Sequence, residues 1–185
     1  RIVSTNRPRD RRCTALKMAT EVDLRYGDAA TVDDSPVWHK AAPTVLEAQT
    51  TAEEALADII ERCIDHLRAN EQCVLDRAHE EGVHQMRVAV RRLRSILALF
   101  RGLIPDDQRA YLGKELRWLI GELGPARDWD VLLAETLAPV VSQLSGEKSL
   151  VMLRRRAEKI RDQSYDRAAA AIRSQRYVGL VMLIG

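Results

Sequence analysis

The chain has 185 residues, 46% of them apolar and 4% aromatic, with nine glycines and six prolines, so it holds one good-sized and mostly helical domain with room for an appendage. Three cysteines without CxxC spacing (Cys13, Cys63, Cys73) argue against a zinc site or a disulfide framework, and no signal peptide or bilayer-length apolar run is present, so a reducing, cytoplasmic location is expected. The net charge of +2 hides segregation: residues 51–81 carry three Lys/Arg against nine Asp/Glu, and residues 82–127 carry nine against four.

Residues 1–49 lack helical periodicity and hold Pro36 and Pro43 near their end, which predicts an irregular arm or linker. One short alternating piece, Glu21 to Tyr26 before Gly27, has the pattern of a strand but is too little for a sheet. Residues 50–185 form the predicted helical domain. Thr51-Ala-Glu-Glu54 is a capping-box pattern, and Leu56, Ile59, Ile60, Cys63, Ile64 and Leu67 follow at helical spacing. The first helix is therefore expected from about residue 52 into the mid-seventies.

The second expected helix, ending near Leu103 before Pro105, contains the most informative stretch, VHQMRVAVRRLR over Val83–Arg94. At 100° per residue His84, Arg87, Arg91 and Arg94 fall within about 80° of one another, a cationic ladder about 15 Å long. Val83, Met86, Val90, Leu93, Leu97 and Phe100 form the neighbouring apolar arc, and Arg92 points away. A basic stripe that flanks the core stripe lines a groove or bundle interior, where unpaired guanidinium groups are costly, so it needs an acid or an anion as partner.

Asp106 can cap a third helix with apolar positions Leu112, Leu116, Leu119, Ile120 and Leu123, ended by Gly124-Pro125; its Lys114 and Arg117 share one edge. A fourth helix is expected from Asp128, breaking or bending at Pro139. Residues 147–173 carry a long pattern through Leu150, Leu153, Ala157, Ile160, Ala168 and Ile172, and the apolar run Tyr177–Ile184 has the look of a further helix that stops short.

The two segments VHQMRVAVRRLRSILALF and ELRWLIGELGPARDWDVLL, with their HxxRxxxRRLR and LGxxRDxDV patterns, resemble the CHAD family, the conserved histidine α-helical domain. The resemblance spans roughly residues 50–185. It implies an all-α antiparallel helical bundle of two similar halves around a basic cavity, and non-catalytic binding of inorganic polyphosphate without a cofactor. Carried over residue by residue, the anion-contacting set is His84, Arg87, Arg91, Arg94, Lys114, Arg117 and Arg127. Arginine forks match phosphate oxygens, lysine adds a point charge, and repeated cations along a helix suit a polymer of repeated negative charges.

A complete domain of that family would carry a second His-containing basic helix, and none matches here; the four histidines are His39, His66, His79 and His84. The chain thus reads as roughly the first helical repeat and the start of the second. The apolar run 177–184 then predicts a homodimer that covers it. Residues 1–49 are faintly similar to the trailing end of a CYTH domain, the triphosphate-tunnel fold that often precedes this family. The same resemblance makes polyphosphate granules a further expected location.

Three other functions use the same residues. A metal site would rest on His79, Glu80, Glu81 and His84, but histidines five apart point to opposite sides of a helix and arginines oppose a dication. Histidine phosphotransfer on His84 is chemically coherent in a basic surround, although the stripe extends well beyond one phosphoryl group. Non-specific binding of nucleic acid or another polyanion needs only phosphate contacts, but Trp118 and Trp129 read as packing residues instead of stacking platforms. Asp128 and Asp130, two apart, point in different directions, which favours a cap or an ion pair with Arg127 or a stripe arginine over acid–base chemistry.

Overall fold

The computed structural model describes residues 38–144 and 147–185. The readings placed on residues 1–37, including the strand at 21–26, the likeness to a CYTH remnant and Cys13, lie outside the described residues. Among these residues the architecture is all-α, without strands, and the described remainder of the arm, 38–50, forms no helix.

Helix α1 (Ala52–Ala69) starts on the expected capping box: the Glu54 N–H donates to Thr51 Oγ1 at 3.3 Å and the Thr51 N–H donates to Glu54 Oε2 at 2.9 Å. That second bond holds the Glu54 carboxyl below its ordinary pKa. The helix does not run into the mid-seventies, because Asn70 interrupts it before α2 (Glu71–Leu75). The Asn70 side chain is fully buried and occupied: its Oδ1 accepts from the His39 N–H, and its Nδ2 donates to the carbonyls of His39 and His66. A short amide satisfied this way favours a break over continued helix.

Helix α3 (Glu80–Leu99) carries the basic stripe and ends four residues before the expected Leu103. His79 is its N-cap, accepting the Glu81 N–H on Nδ1 at 3.1 Å, a structural role for a residue that could have been a metal ligand. The expected apolar arc is the buried face: Val83, Met86 and Val90 are fully buried and Leu93 nearly so.

The largest correction concerns the next segment. Helix α4 (Asp106–Val131) runs straight through Gly124-Pro125, so Asp128 lies inside it and caps nothing. Proline disfavours helix in the preceding residue largely through that residue's Cβ, which Gly124 lacks. Asp106 does not cap either; it is the first helical residue after Pro105 and pairs with Arg109. The expected bend at Pro139 appears as a wide π-helical turn, Leu132–Leu137, that leads without a gap into α5 (Ala138–Gln143), where the proline has no N–H to offer the turn before it.

Helices α6 (Lys148–Ile172) and α7 (Gln175–Ile184) follow the predicted C-terminal pattern, except that Leu153 and Ile160 are exposed. The face α6 buries is made instead of Ala157, Ser164, Tyr165, Ala168, Ala169, Ala171 and Ile172.

Neighbouring helices are antiparallel. His66 and Ile60 of α1 sit beside Gln85 and Leu93 of α3; Arg87 and Arg94 of α3 face Asp128 and Arg117 of α4. Glu122 of α4 accepts a two-pronged contact from Arg167 of α6, and Glu115 one from Arg176 of α7. One core runs through all of them, with Leu67, Met86, Val90, Leu116, Leu119 and Leu123 at its centre.

Candidate anion-binding groove

The seam between α3 and α4 holds most of the predicted stripe. At its α3 C-terminal end, Arg94 of α3 and Arg109 and Arg117 of α4 surround a hollow of about 370 Å³ whose floor is Leu97, Ala98, Ala110 and Gly113. Gly113 is part of this floor, and a Cβ there would meet Arg117 Nη1 at an ordinary contact distance of 3.6 Å. At the other end, Arg87 is half-buried against Gly124, where a Cβ would stand only 2.9 Å from Arg87 Nη1. Its Nη2 faces Asp128 Oδ1 at 3.8 Å.

The predicted residues are not all equally placed. His84 is half-buried on the same face of α3, and Arg91 is exposed between Arg87 and Arg94. Lys114 is exposed and does not line the hollow; its charge acts on Glu115, whose carboxyl is held low chiefly by the Arg176 hydrogen bonds. Arg127 is half-buried further along α4, where its charge helps to lower Asp130. Arg92 points away as expected and donates to Thr44 of the arm at 3.4 Å.

Arg109 was not among the predicted residues. The signal was present, since 109, 113 and 117 are spaced i, i+4 and i+8 and therefore share a face. Its Nη2 pairs with Asp106, while its Nε is buried and has no hydrogen-bond partner among the described residues. A buried donor without a partner costs on the order of 1–3 kcal/mol.

The two aspartates of the Asp128-Trp129-Asp130 motif diverge, as their spacing required. Asp128 faces the groove. Asp130 is buried on the opposite side of α4 and accepts the Tyr165 hydroxyl proton on Oδ2 at 2.8 Å. Burial is the main reason that its pKa rises to about 6, with Glu80 adding to the effect and the Tyr165 bond opposing it. The Tyr165 hydroxyl is in turn pushed up, first by its own burial. Trp118 packs on the core with the Arg176 guanidinium 4.2 Å above its ring centre, a packing and cation–π role.

Among the described residues no three His, Cys, Asp or Glu side chains are grouped to hold a metal ion, and no helix is long and apolar enough to cross a membrane. Cys63 and Cys73 are free and buried. What the seam can do chemically is hold a multiply charged anion with several guanidinium forks along two helices.

Comparison with the curated proteins gave no match. Among solved structures, the chain is similar to the crystal structure of the CHAD domain from the plant Ricinus communis: 37% identity, TM-score 0.69, covering 79% of this chain and 48% of that one. It thus spans about half the length of that solved chain. The family model for the CHAD domain matches residues 58–183, which include the α3 stripe, the LGxxRDxDV segment of α4 and nearly all of α7. The chain belongs to the CHAD domain family.

Proposed function

We propose that this domain binds inorganic polyphosphate non-covalently along the α3–α4 seam and does not turn it over. The observation that carries this reading is the convergence of Arg94, Arg109 and Arg117 from two helices on one open hollow, continued along α3 by Arg91, Arg87 and His84. Guanidinium groups keep their charge at any physiological pH and match phosphate oxygens in pairs.

Titration with long-chain polyphosphate tests the reading. The variant carrying Arg87→Gln, Arg91→Gln and Arg94→Gln is expected to bind at least a hundredfold more weakly, since each lost charge-assisted contact is worth roughly 1.5–3 kcal/mol. Equal affinity of parent and variant, or release of orthophosphate, would contradict it. Duplex DNA competing as well as polyphosphate would turn it into a general polyanion binder.

We also propose self-association through the apolar surface of α7. Val178, Met182 and Leu183 are exposed there, close to a hollow of about 630 Å³ formed by Leu56, Ile60, Ile64, Leu103 and Ile184. The free buried thiols of Cys63 and Cys73 fit a reducing, cytoplasmic setting.

A further inference from the structure

The hollow beside the α3–α4 turn differs from the rest of the stripe. Along α3 the arginines follow one another singly, a turn apart, each able to meet one unit of a chain. At the hollow three arginines, Arg94, Arg109 and Arg117, line one space together with Leu97, Ala98, Ala110 and Gly113. An interior phosphate of a polymer has two non-bridging oxygens and one negative charge. A terminal phosphate has three non-bridging oxygens and, near neutral pH, close to one charge more. Three arginines around one hollow carry more donors than an interior unit can accept and suit the terminal group.

Arg109 strengthens the match. Its Nε has no partner among the described residues, and its Nη2 is engaged only by Asp106, whose side chain is 88% exposed. An exposed ion pair of this kind contributes little, so Asp106 can give way at Nη2 to a dianionic group. At the other end of the stripe Arg87 meets the exposed Asp128 carboxylate at 3.8 Å, a pair as displaceable as Arg109–Asp106, so what sets the hollow apart is the number of arginines that line it.

Resting on the polyphosphate reading above, we propose that Arg94, Arg109 and Arg117 form a chain-end subsite that takes a doubly ionised terminal phosphate and so fixes the register of the polymer along the seam. The same chemistry could be offered by free orthophosphate, and the experiment separates the two sources.

Polyphosphate of one intermediate length is prepared with free ends and with both ends masked as phosphoramidates, and each is titrated into the parent protein and into Arg109→Gln and Arg91→Gln variants. The parent is expected to bind the free-ended chain about tenfold more tightly than the masked one, the worth of roughly one charge-assisted contact. Arg109→Gln should erase most of that ratio, and Arg91→Gln should weaken both ligands while preserving it. The ratio should also shrink as pH falls through about 6, where the terminal phosphate takes up its second proton.

Equal binding of masked and free-ended chains by the parent overturns the subsite while leaving the polyphosphate reading intact, whereas failure of both ligands to bind overturns both. Orthophosphate displacing the free-ended chain at an equal concentration of phosphate ends shows a free-phosphate site and also overturns the proposal. The comparison of ligands on the parent protein does not depend on any variant folding.

Discussion

Arg87 of α3 and Asp128 of α4 face each other across the helix seam at 3.8 Å, held in register by the missing side chain of Gly124 one turn before the aspartate. The pair is loose and Asp128 is 74% exposed, so it contributes little to stability, and its carboxylate competes with any anion for Arg87. The motif that carries Gly124 and Asp128 therefore positions one groove arginine and restrains it at once.

Replacing Asp128 with Asn should make this visible. The Asp128→Asn variant is expected to keep its melting temperature within a few degrees and to bind polyphosphate about two- to fivefold more tightly, the scale of one exposed charge pair. Calorimetric titration beside thermal unfolding measures both. Weaker binding would mean that Asp128 organises Arg87 more than it competes with ligand.

Asp130 predicts a pH effect of the opposite kind to that of an ordinary ion-paired carboxylate. Its pKa is raised on folding, from an ordinary value of 3.8 to about 6, so its favourable contribution is present below about pH 4 and is lost as pH rises through 6. At pH 7 a buried charge is being held at a cost of about 2–3 kcal/mol. Asp130→Asn keeps an acceptor for the Tyr165 hydroxyl and lacks the charge. Denaturant unfolding should show the stability of the variant gaining on the parent by about that amount between pH 4 and pH 7. A gap that stays constant over this range would show that Asp130 titrates normally.

Most of the helical framework was legible in the sequence because burial follows periodicity: Val83, Met86, Val90 and Leu93 on one arc of α3, and Leu112, Leu116, Leu119 and Leu123 on α4, are the core. The misreadings came where a local stop signal met a tertiary demand. Gly124-Pro125 has the pattern of a helix end, but packing against α3 and α6 on both sides carries the helix through, and the glycine removes the steric objection. Asn70 has no sequence pattern of a break, since its partner is the backbone of His39, thirty-one residues away.

At the site, Arg87, Arg91 and Arg94 were readable from spacing on one helix, whereas the contribution of Arg109 depends on how α4 crosses α3. Lys114 and Arg127 were carried by motif likeness, and the fold sets both outside the hollow where Arg117 sits. Leu153 and Ile160 fit the helical period of α6 and are nonetheless exposed, whereas the residues α6 buries lie at Ala157 and from Ser164 to Ile172.

The exposed apolar residues of α7 predict association in solution. Met182 and Leu183 are 76% and 57% exposed, an arrangement that a second copy of the chain would cover. Light scattering at micromolar concentration should give twice the monomer mass, and Met182→Glu with Leu183→Glu should return it to the monomer. A monomeric parent would contradict the dimer without affecting the groove.

The salt dependence of polyphosphate affinity tests the central claim most directly, because it counts the ionic contacts instead of inferring them. By analogy with counterion release from nucleic acids, each phosphate neutralised contributes a slope of roughly 0.7–0.9 to log K against log salt. The parent should therefore lose affinity steeply as salt rises. The Arg87→Gln, Arg91→Gln, Arg94→Gln variant should lose it less steeply, by about two units of slope. A shallow slope in the parent, or the same slope in both proteins, would contradict an arginine-lined polyphosphate groove between α3 and α4.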